Sequence, residues 1–361
     1  MKFYLYLILF TPLLIKAQKM TLTTVVDDVK REFIISRPSG PAPSGGFPLV
    51  FMFHGTSGDG EKFFNISGWK ELGEKEKFVT VFPSSLEYCV EEGRFPHKTT
   101  KWNNGNLQEA ACPNQVIKDD IKFIKKMVDT LTSFMRINNK MIFAAGFSNG
   151  GSMTAKMAIE MGDIFSALAI SSSFLHDLDS GLAKIKVPVW QMIGTVDSMF
   201  LERLMIPNIP FNDSCLIFLR NGIENMVNSY KLKNTYSKDS NELTINYNYT
   251  NVLPGVAPAH FRFSIVKGLS HQYPNGFNFP PMNAAALQWE FFKSVVNPSS
   301  AKDASLSSII TVWPNPASDY LYINSAQNIN IVELNNIYGI KYLLSAENNI
   351  LNLSSLPPQI Y

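Results

Sequence analysis

The sequence predicts an α/β fold with a mostly parallel central sheet, followed by a small C-terminal β domain. Largely apolar runs, as in strands buried on both faces of a parallel sheet, alternate with segments of helical periodicity. These runs are residues 47–53, 78–82, 141–145, 167–170, 188–193 and 261–266. After Val296 the composition changes to a polar segment and then to hydrophobic residues with a period of two, which indicates a separate β domain.

Length and composition agree with this division. The chain has 361 residues, of which 45% are hydrophobic and 17% charged, enough for one domain of about 200–250 residues and a smaller one. The net charge is +2, and lysines and arginines are scattered without a long basic block. We therefore do not expect a nucleic-acid partner.

Residues 1–17 are typical of an export signal. Lys2 gives a positive start, residues 3–15 are almost wholly apolar, and Ala17 offers a cleavage site. The apolar stretch is short for a bilayer span, which favours a cleaved signal over an anchor. A membrane-anchored N-terminus is the alternative, because Ile15 is not a small residue. The prediction is a secreted or cell-surface protein without an integral membrane span.

The remaining elements of the large domain follow in order. Gly and Pro clusters and the hydrophobic periodicity set their limits. We predict strands at 21–26 and 31–36, helices at 62–77, 116–135, 152–161 and 284–296, and a polar loop at 84–113. Residues 200–258 have weak periodicity and are predicted to leave the sheet and form part of a substrate rim.

The turn after the strand at 141–145 carries the strongest functional signal. The sequence from Gly146 to Gly150, GFSNG, fits the pattern G-x-S-x-G. In that pattern a sharp strand-to-helix turn exposes a serine hydroxyl at the edge of the sheet. A strand precedes Ser148 and a helix follows it, as the motif requires. A plain tight turn is the alternative interpretation.

A nucleophilic serine needs a base, and the base needs an orienting carboxylate. In sheets of this kind the order along the chain is serine, acid, histidine. Asp197 follows the strand at 188–193, and His271 follows the strand at 261–266. The other four histidines either precede this acid or begin a strand. The sequence therefore predicts a triad of Ser148, Asp197 and His271.

The same chemistry needs donors for a developing oxyanion. One donor is expected to be the backbone N–H of Asn149, at the start of the helix after Ser148. The second is expected from the loop after the first buried strand, where His54-Gly55-Thr56 stands. We predict the N–H of Thr56, with a plain turn as the alternative for His54-Gly55.

Residues 20–296 resemble the secreted α/β-hydrolase esterases grouped as polyhydroxybutyrate depolymerase-like and feruloyl or acetylxylan esterases. The matching stretches are PLVFMFHG, GWKELGEKEKFVTVFP, WNNG, DDIKFIKKMVD, GFSNGGSM, GTVD and GLSH. The resemblance implies the α/β-hydrolase fold, the triad above, and a place near the substrate cleft for Trp102 and Asn103. Two positions depart from the family: Thr56 stands where some members have Cys, and Gln272-Tyr273-Pro274 where many have Trp-Pro.

Three cysteines are present in a chain expected to be exported, so a disulfide can form. Cys89 and Cys112 bracket one polar loop, and we predict that they pair while Cys215 stays free. Closing such a loop stabilises the fold by about 3 kcal/mol. The cysteine spacings fit no zinc pattern, and no metal site is predicted.

The C-terminal part is predicted to comprise a linker at 297–308 and a β domain at 309–361. That domain resembles the C-terminal sorting domain of the type IX secretion pathway of Bacteroidetes in the stretches VWPNPASDYLYI, IYGI and LNLSSLPPQIY. The resemblance implies the type IX secretion machinery as a partner. Gln359 stands where the family usually has Gly, and the chain stops at Tyr361, so a truncated sorting domain is expected. A small carbohydrate-binding β domain is the alternative.

Together these features predict a secreted serine carboxylic ester hydrolase that works through an acyl-enzyme without a metal or organic cofactor. By resemblance, the expected substrates are feruloyl or acetyl esters on polysaccharides, or polyhydroxyalkanoates. A serine peptidase of the same fold shares the triad and is one alternative. A non-catalytic binding module is the other, although none of the three triad positions is substituted.

Overall fold

The computed structural model describes residues 18–296, 311–313, 319–324, 331–335, 341–347, 349–354 and 356. The chain divides into two compact units, Met1–Val296 and Asn297–Tyr361. The predicted signal peptide at 1–17 and the predicted linker at 297–308 lie outside the described residues. Within the described parts of the chain, no helix is both long and apolar enough to cross a membrane.

The large unit is built on a ten-stranded sheet. The described strands of this unit, in chain order, are β1 Gln18–Val26, β2 Val29–Arg37, β3 Phe47–Phe53, β4 Val79–Pro83, β5 Leu86–Val90, β6 His97–Lys101, β7 Ile137–Phe147, β8 Ala167–Ser171, β9 Val189–Gly194, β10 Ser237–Ser240, β11 Thr244–Tyr249 and β12 Phe261–Val266. Strands β5 and β6 form a separate hairpin, and the other ten form the sheet. The sheet order is β1-β2-β4-β3-β7-β8-β9-β12-β11-β10. The six central strands, β4 to β12 in that order, pair in parallel and the flanking strands pair antiparallel. The predicted mostly parallel sheet is therefore confirmed.

Helices cover both faces of this sheet. They are α1 Gly60–Ile66, α2 Trp69–Glu76, α3 Gly105–Ala110, α4 Asp120–Phe134, α5 Asn149–Glu160, α6 Ser198–Leu204, α7 Cys215–Phe218, α8 Arg220–Ser229 and α9 Ala284–Val296. Strand β3 shows why both faces need cover: Phe51 and Phe53 join the core beneath α4 and α5. Val50 and Met52 join the core beneath α2 and α9. A strand buried on both sides is apolar throughout, which is the pattern that predicted it.

The single helix predicted at 62–77 is wrong, because the chain forms α1 and α2 there. Gly68 adopts a left-handed conformation with φ of 78° and serves as the N-cap of α2. Asp59 caps the start of α1 by accepting a hydrogen bond from the Lys62 N–H. A glycine in this conformation interrupts the i to i−4 hydrogen bonding, although the hydrophobic periodicity continues across it.

The prediction that residues 200–258 leave the sheet is wrong in part. Helices α6 to α8 do leave it, but β11 returns and pairs antiparallel with β12, and β10 adds the edge strand. Alternate side chains of β11 are buried, namely Ile245, Tyr247 and Tyr249. This period of two is the pattern of a strand with one face on the core.

The predicted polar loop at 84–113 has structure of its own. Strands β5 and β6 form an antiparallel hairpin, and α3 follows it. The predicted disulfide between Cys89 and Cys112 is confirmed, with a Cα–Cα distance of 5.4 Å, and Cys215 is a buried free thiol. The side chain of Gln115 hydrogen-bonds both the N–H and the carbonyl of Cys89, at 2.8 and 2.9 Å.

The small unit confirms the prediction of a C-terminal β domain. Its described strands are β13 Thr311–Trp313, β14 Tyr320–Asn324, β15 Ile331–Asn335, β16 Lys341–Glu347 and β17 Ile350–Asn352. They form an antiparallel sheet in the order β13-β14-β17-β16-β15. Leu321, Ile323, Ala346 and Leu351 are buried together on this sheet.

Candidate active site

Ser148 stands at the sharp turn between β7 and α5. Its backbone has φ of 52° and ψ of −124°, a conformation that a non-glycine residue adopts only when the surroundings enforce it. The turn is tight enough to require glycine on both sides. A Cβ at Gly146 would lie 2.2 Å from the carbonyl oxygen of Gly150, and a Cβ at Gly150 would lie 2.3 Å from that of His54. The predicted elbow is therefore present in its full geometry.

The structure brings His271 and Asp197 to this serine. His271 Nε2 lies 2.9 Å from Ser148 Oγ, and His271 Nδ1 lies 2.8 Å from Asp197 Oδ1. Asp197 is fully buried, while the His271 side chain keeps 20% of its surface exposed. Asp197 Oδ1 also accepts a hydrogen bond from the Met199 N–H at the start of α6. The three residues predicted from separate strand ends thus form one hydrogen-bonded chain.

Neighbouring strands fix the acid and the histidine relative to each other. β9 and β12 pair in parallel, and their turns continue the pairing beyond the strands. The Gly268 N–H donates to Thr195 Oγ1 at 2.8 Å, and the Val196 N–H donates to the Leu269 carbonyl at 3.2 Å. The backbone therefore sets the separation of Asp197 and His271.

The hydrogen-bond partners determine the proton positions. The Asp197 carboxylate accepts only, so Nδ1 of His271 carries a proton and donates it. Nε2 then has a free lone pair and accepts from the Ser148 hydroxyl. This arrangement can remove the serine proton as Oγ attacks an electrophile, and it stabilises the imidazolium that results.

The loop after β3 lies against the serine. A Cβ at Gly55 would lie 3.2 Å from the Ser148 Cβ. His54 Nε2 accepts from the Ser85 N–H at 3.0 Å, so its Nδ1 carries the proton and donates to the Gly55 carbonyl at 2.7 Å. Burial lowers the pKa of His54 to about 4, which agrees with a neutral ring.

This arrangement orients the first of the two predicted oxyanion donors, and the start of α5 places the second. In a trans peptide the N–H points opposite to the carbonyl, so the Thr56 N–H is directed away from the His54 ring. Asn149 is the first residue of α5, where a backbone N–H has no intrahelical acceptor. The participation of the Thr56 and Asn149 amides in catalysis stays a prediction.

Comparison with solved structures shows what fold the chain resembles. An acetyl xylan esterase from Aspergillus awamori superposes with a TM-score of 0.51 at 14% identity, covering 76% of this chain and 98% of that one. The chain has the α/β-hydrolase fold. The match at this identity supports the fold.

Curated relatives of this chain carry esterase or depolymerase names. Feruloyl esterase B of Piromyces equi is 24% identical over 175 residues, which are 47% of this chain and 30% of the relative. Poly(3-hydroxyalkanoate) depolymerase C of Paucimonas lemoignei is 28% identical over 133 residues, 37% of this chain and 28% of the relative. The chain spans less than half the length of the curated relatives it matches. No family model matches the chain.

Trp102 and Asn103, the two residues predicted to bind substrate, both make internal contacts. Trp102 is fully buried, packs edge-on against Phe53 at 5.1 Å, and has no surface to offer a substrate. The Asn103 amide donates to the Lys118 carbonyl at 2.8 Å and accepts from Gln108. A direct substrate contact by the Trp102 side chain is therefore excluded by its burial, whereas a substrate-binding role for the half-buried Asn103 stays a prediction.

Two exposed aromatic side chains lie near the proposed triad. Phe277 and Phe279 are 86% and 70% exposed in the loop after His271. A Cβ at Gly268 would lie 2.7 Å from the Phe279 ring, which places that ring beside the histidine turn. Residues 268–289 contain no charged side chain, a run that could have indicated an uncharged rim. Among the described residues, no group of three or more His, Cys, Asp or Glu side chains could hold a metal ion.

Proposed function

We propose that the protein is a secreted serine carboxylic ester hydrolase. The observation that carries the proposal is the hydrogen-bonded chain of Ser148, His271 and Asp197 on a strained turn of an α/β-hydrolase fold. The esterase names of the curated relatives support the same reaction class.

The reaction proceeds in two halves. Ser148 Oγ attacks the ester carbonyl carbon while its proton passes to His271 Nε2. The oxyanion that forms accepts hydrogen bonds from the N–H groups of Thr56 and Asn149. Collapse of this intermediate breaks the ester C–O bond, and His271 returns the proton to the departing alcohol. Water, deprotonated by His271, then attacks the acyl-enzyme, and the acid and free Ser148 are released.

The proposed substrates are uncharged esters, namely feruloyl or acetyl esters on polysaccharides, or polyhydroxyalkanoates. The uncharged rim with Phe277 and Phe279 suits an apolar or planar group, since aromatic side chains offer large contact areas to such groups. A hydrolysis panel of feruloyl, acetyl-xylan and polyhydroxybutyrate substrates identifies the preferred class.

Residues 1–17 and the C-terminal unit are proposed to direct export, with the type IX secretion machinery as partner. The support is the sequence pattern of the signal and the resemblance of the tail to sorting domains. Fusion of residues 297–361 to an exported fluorescent reporter, in a bacterium that has this pathway, tests the role. Retention of the reporter in the periplasm would contradict it.

The test of the reaction is the variant Ser148→Ala. We expect kcat on a soluble nitrophenyl ester to fall by about 10⁴- to 10⁶-fold, because the covalent route is lost. Ser133→Ala is the matched control, since Ser133 is exposed on α4. A folded Ser148→Ala protein that keeps wild-type turnover would show that another group is the nucleophile.

A further inference from the structure

We propose that residues 99–104, hereafter the brace, position both oxyanion donors, and that Trp102 is the central positioning residue. The inference rests on the proposed esterase function. The two donors belong to separate elements, the loop after β3 and the first turn of α5. The brace belongs to neither element and hydrogen-bonds both.

The brace holds the first donor through the loop at residues 54–58. The indole N–H of Trp102 donates to the His54 carbonyl at 2.9 Å. The Ser57 N–H donates to the Thr100 carbonyl at 3.1 Å, and the Thr100 hydroxyl donates to the Gly58 carbonyl at 2.6 Å. Because the His54 ring also holds the Gly55 carbonyl, both the 54–55 peptide and the 55–56 peptide, which carries the Thr56 N–H, are fixed.

The brace holds the second donor through Asn149. The backbone N–H of Trp102 donates to Asn149 Oδ1 at 2.7 Å. The Asn104 amide donates to the Asn149 carbonyl at 3.0 Å, and the Asn149 amide donates to Asn104 Oδ1 at 3.2 Å. Trp102 and Asn104 are fully buried and Asn149 is 4% exposed. Trp102 therefore bonds to both halves of the proposed oxyanion site.

The brace is itself held by a buried ion pair between Asp120 and Arg31. The Asn103 N–H donates to Asp120 Oδ2 at 2.7 Å, and the other oxygen of Asp120 pairs with Arg31 at 2.6 Å. Both side chains of this ion pair are 1% exposed. The brace begins in strand β6 of the hairpin β5–β6. The disulfide between Cys89 and Cys112 links the ends of the chain segment that contains the brace.

Such anchoring matters because oxyanion donors are effective only over a narrow range of distances to the oxyanion. They must lie about 2.7–3.1 Å from the oxygen, and misplacement by about 1 Å costs about 100-fold in rate. The brace makes no contact that the reaction needs directly. Its effect is therefore on kcat, through the separation of the Thr56 and Asn149 N–H groups.

The test is Trp102→Phe, which removes the indole N–H and keeps an aromatic ring. We expect kcat on a soluble nitrophenyl ester to fall about 10- to 100-fold, with KM within about twofold. Affinity for a boronic acid, which forms a tetrahedral adduct with Ser148, should fall by a similar factor. Trp190→Phe is the matched control, because its indole N–H donates to Ser264 Oγ at 2.8 Å in a buried site on β9. The control should keep its kcat.

Asn104→Asp tests the brace from the α5 side. It keeps the acceptor oxygen and removes the amide that donates to the Asn149 carbonyl, so kcat should again fall with KM unchanged. This variant decides the matter if Trp102→Phe does not fold. Wild-type kcat in either folded variant, or a rise in KM alone, overturns the proposal. Absence of Ser148-dependent hydrolysis in the wild-type protein refutes the proposed function instead.

Discussion

The loops after β7, β9 and β12 carry the proposed triad, whereas residues 84–118 carry none of it but contact both oxyanion peptides. In the first region the register of neighbouring parallel strands sets the geometry. In the second, a disulfide-closed segment outside the sheet sets it through buried side-chain hydrogen bonds. The comparison shows that different parts of the fold position the proposed triad and the proposed oxyanion donors. Substitutions in the triad should change turnover alone, and substitutions around the brace should change turnover and stability together.

After Ser148→Ala, the largest effect on kcat is expected for Asp197→Asn in the triad region. The amide keeps the shape of the carboxylate but favours the wrong tautomer of His271, so kcat should fall about 10⁴-fold. The melting temperature should change little, because the substitution is isosteric. Asp129→Asn, on the exposed face of α4, is the control. Turnover within tenfold of wild type would indicate that another carboxylate orients the histidine.

An intermediate effect, on the free energy of unfolding, is expected for His54, whose carbonyl accepts a hydrogen bond from the brace. Burial lowers its pKa from 6.5 to about 4 in the folded state, partly offset by its hydrogen bond to Gly55. Only the unfolded chain therefore binds a proton between these values, and the stabilisation present above pH 6.5 is lost as the pH falls towards 4. The loss amounts to about 3 kcal/mol in the free energy of unfolding.

Denaturant titrations of wild type and His54→Asn across pH 4–7 measure this contribution. The variant should have a lower stability at pH 7 and a shallower dependence on pH. Burial lowers the pKa of His260 to about 4 as well, but that contribution is common to both proteins and cancels in the difference. His97→Asn, at an exposed position, controls for loss of an imidazole. Parallel pH curves for wild type and His54→Asn would contradict the assignment.

The smallest effect on catalysis is expected from removing the C-terminal unit. All the proposed catalytic groups and all residues of the brace lie within residues 54–271. A chain that ends at Ser300 should keep kcat and KM on a soluble ester within about twofold, and should fail to reach the cell surface. Loss of most activity in the folded, shortened protein would show that the small unit contributes to the site.

Local pattern was sufficient to predict much of the fold and the triad positions. β3, β12 and α9 have the predicted limits, because an apolar run or helical periodicity with flanking breakers marks each of them. The proposed triad positions followed from chain order relative to the strands. The end of the predicted helix 116–135 was also close, but its start lies at Asp120, where Asp119 caps α4.

Long-range contacts account for what the sequence did not predict. Trp102 hydrogen-bonds His54 and Asn149, which lie 48 and 47 positions away in the chain. No local period marks such a contact, and an aromatic residue beside two asparagines also fits an exposed binding residue. The burial that excludes Trp102 from a cleft arises only when β3, α5 and the segment after β6 come together.

The pairing of β9 with β12 has a consequence for how this protein can diversify. The two strands and their turns hold Asp197 and His271 at a fixed separation, whatever the chain does between them. The part of that interval beyond the Met199 N–H, which donates to Asp197, can therefore vary without altering this strand pairing. It is the natural place in this scaffold for insertions, deletions and grafted segments that alter recognition of the proposed substrate, while the proposed triad is retained.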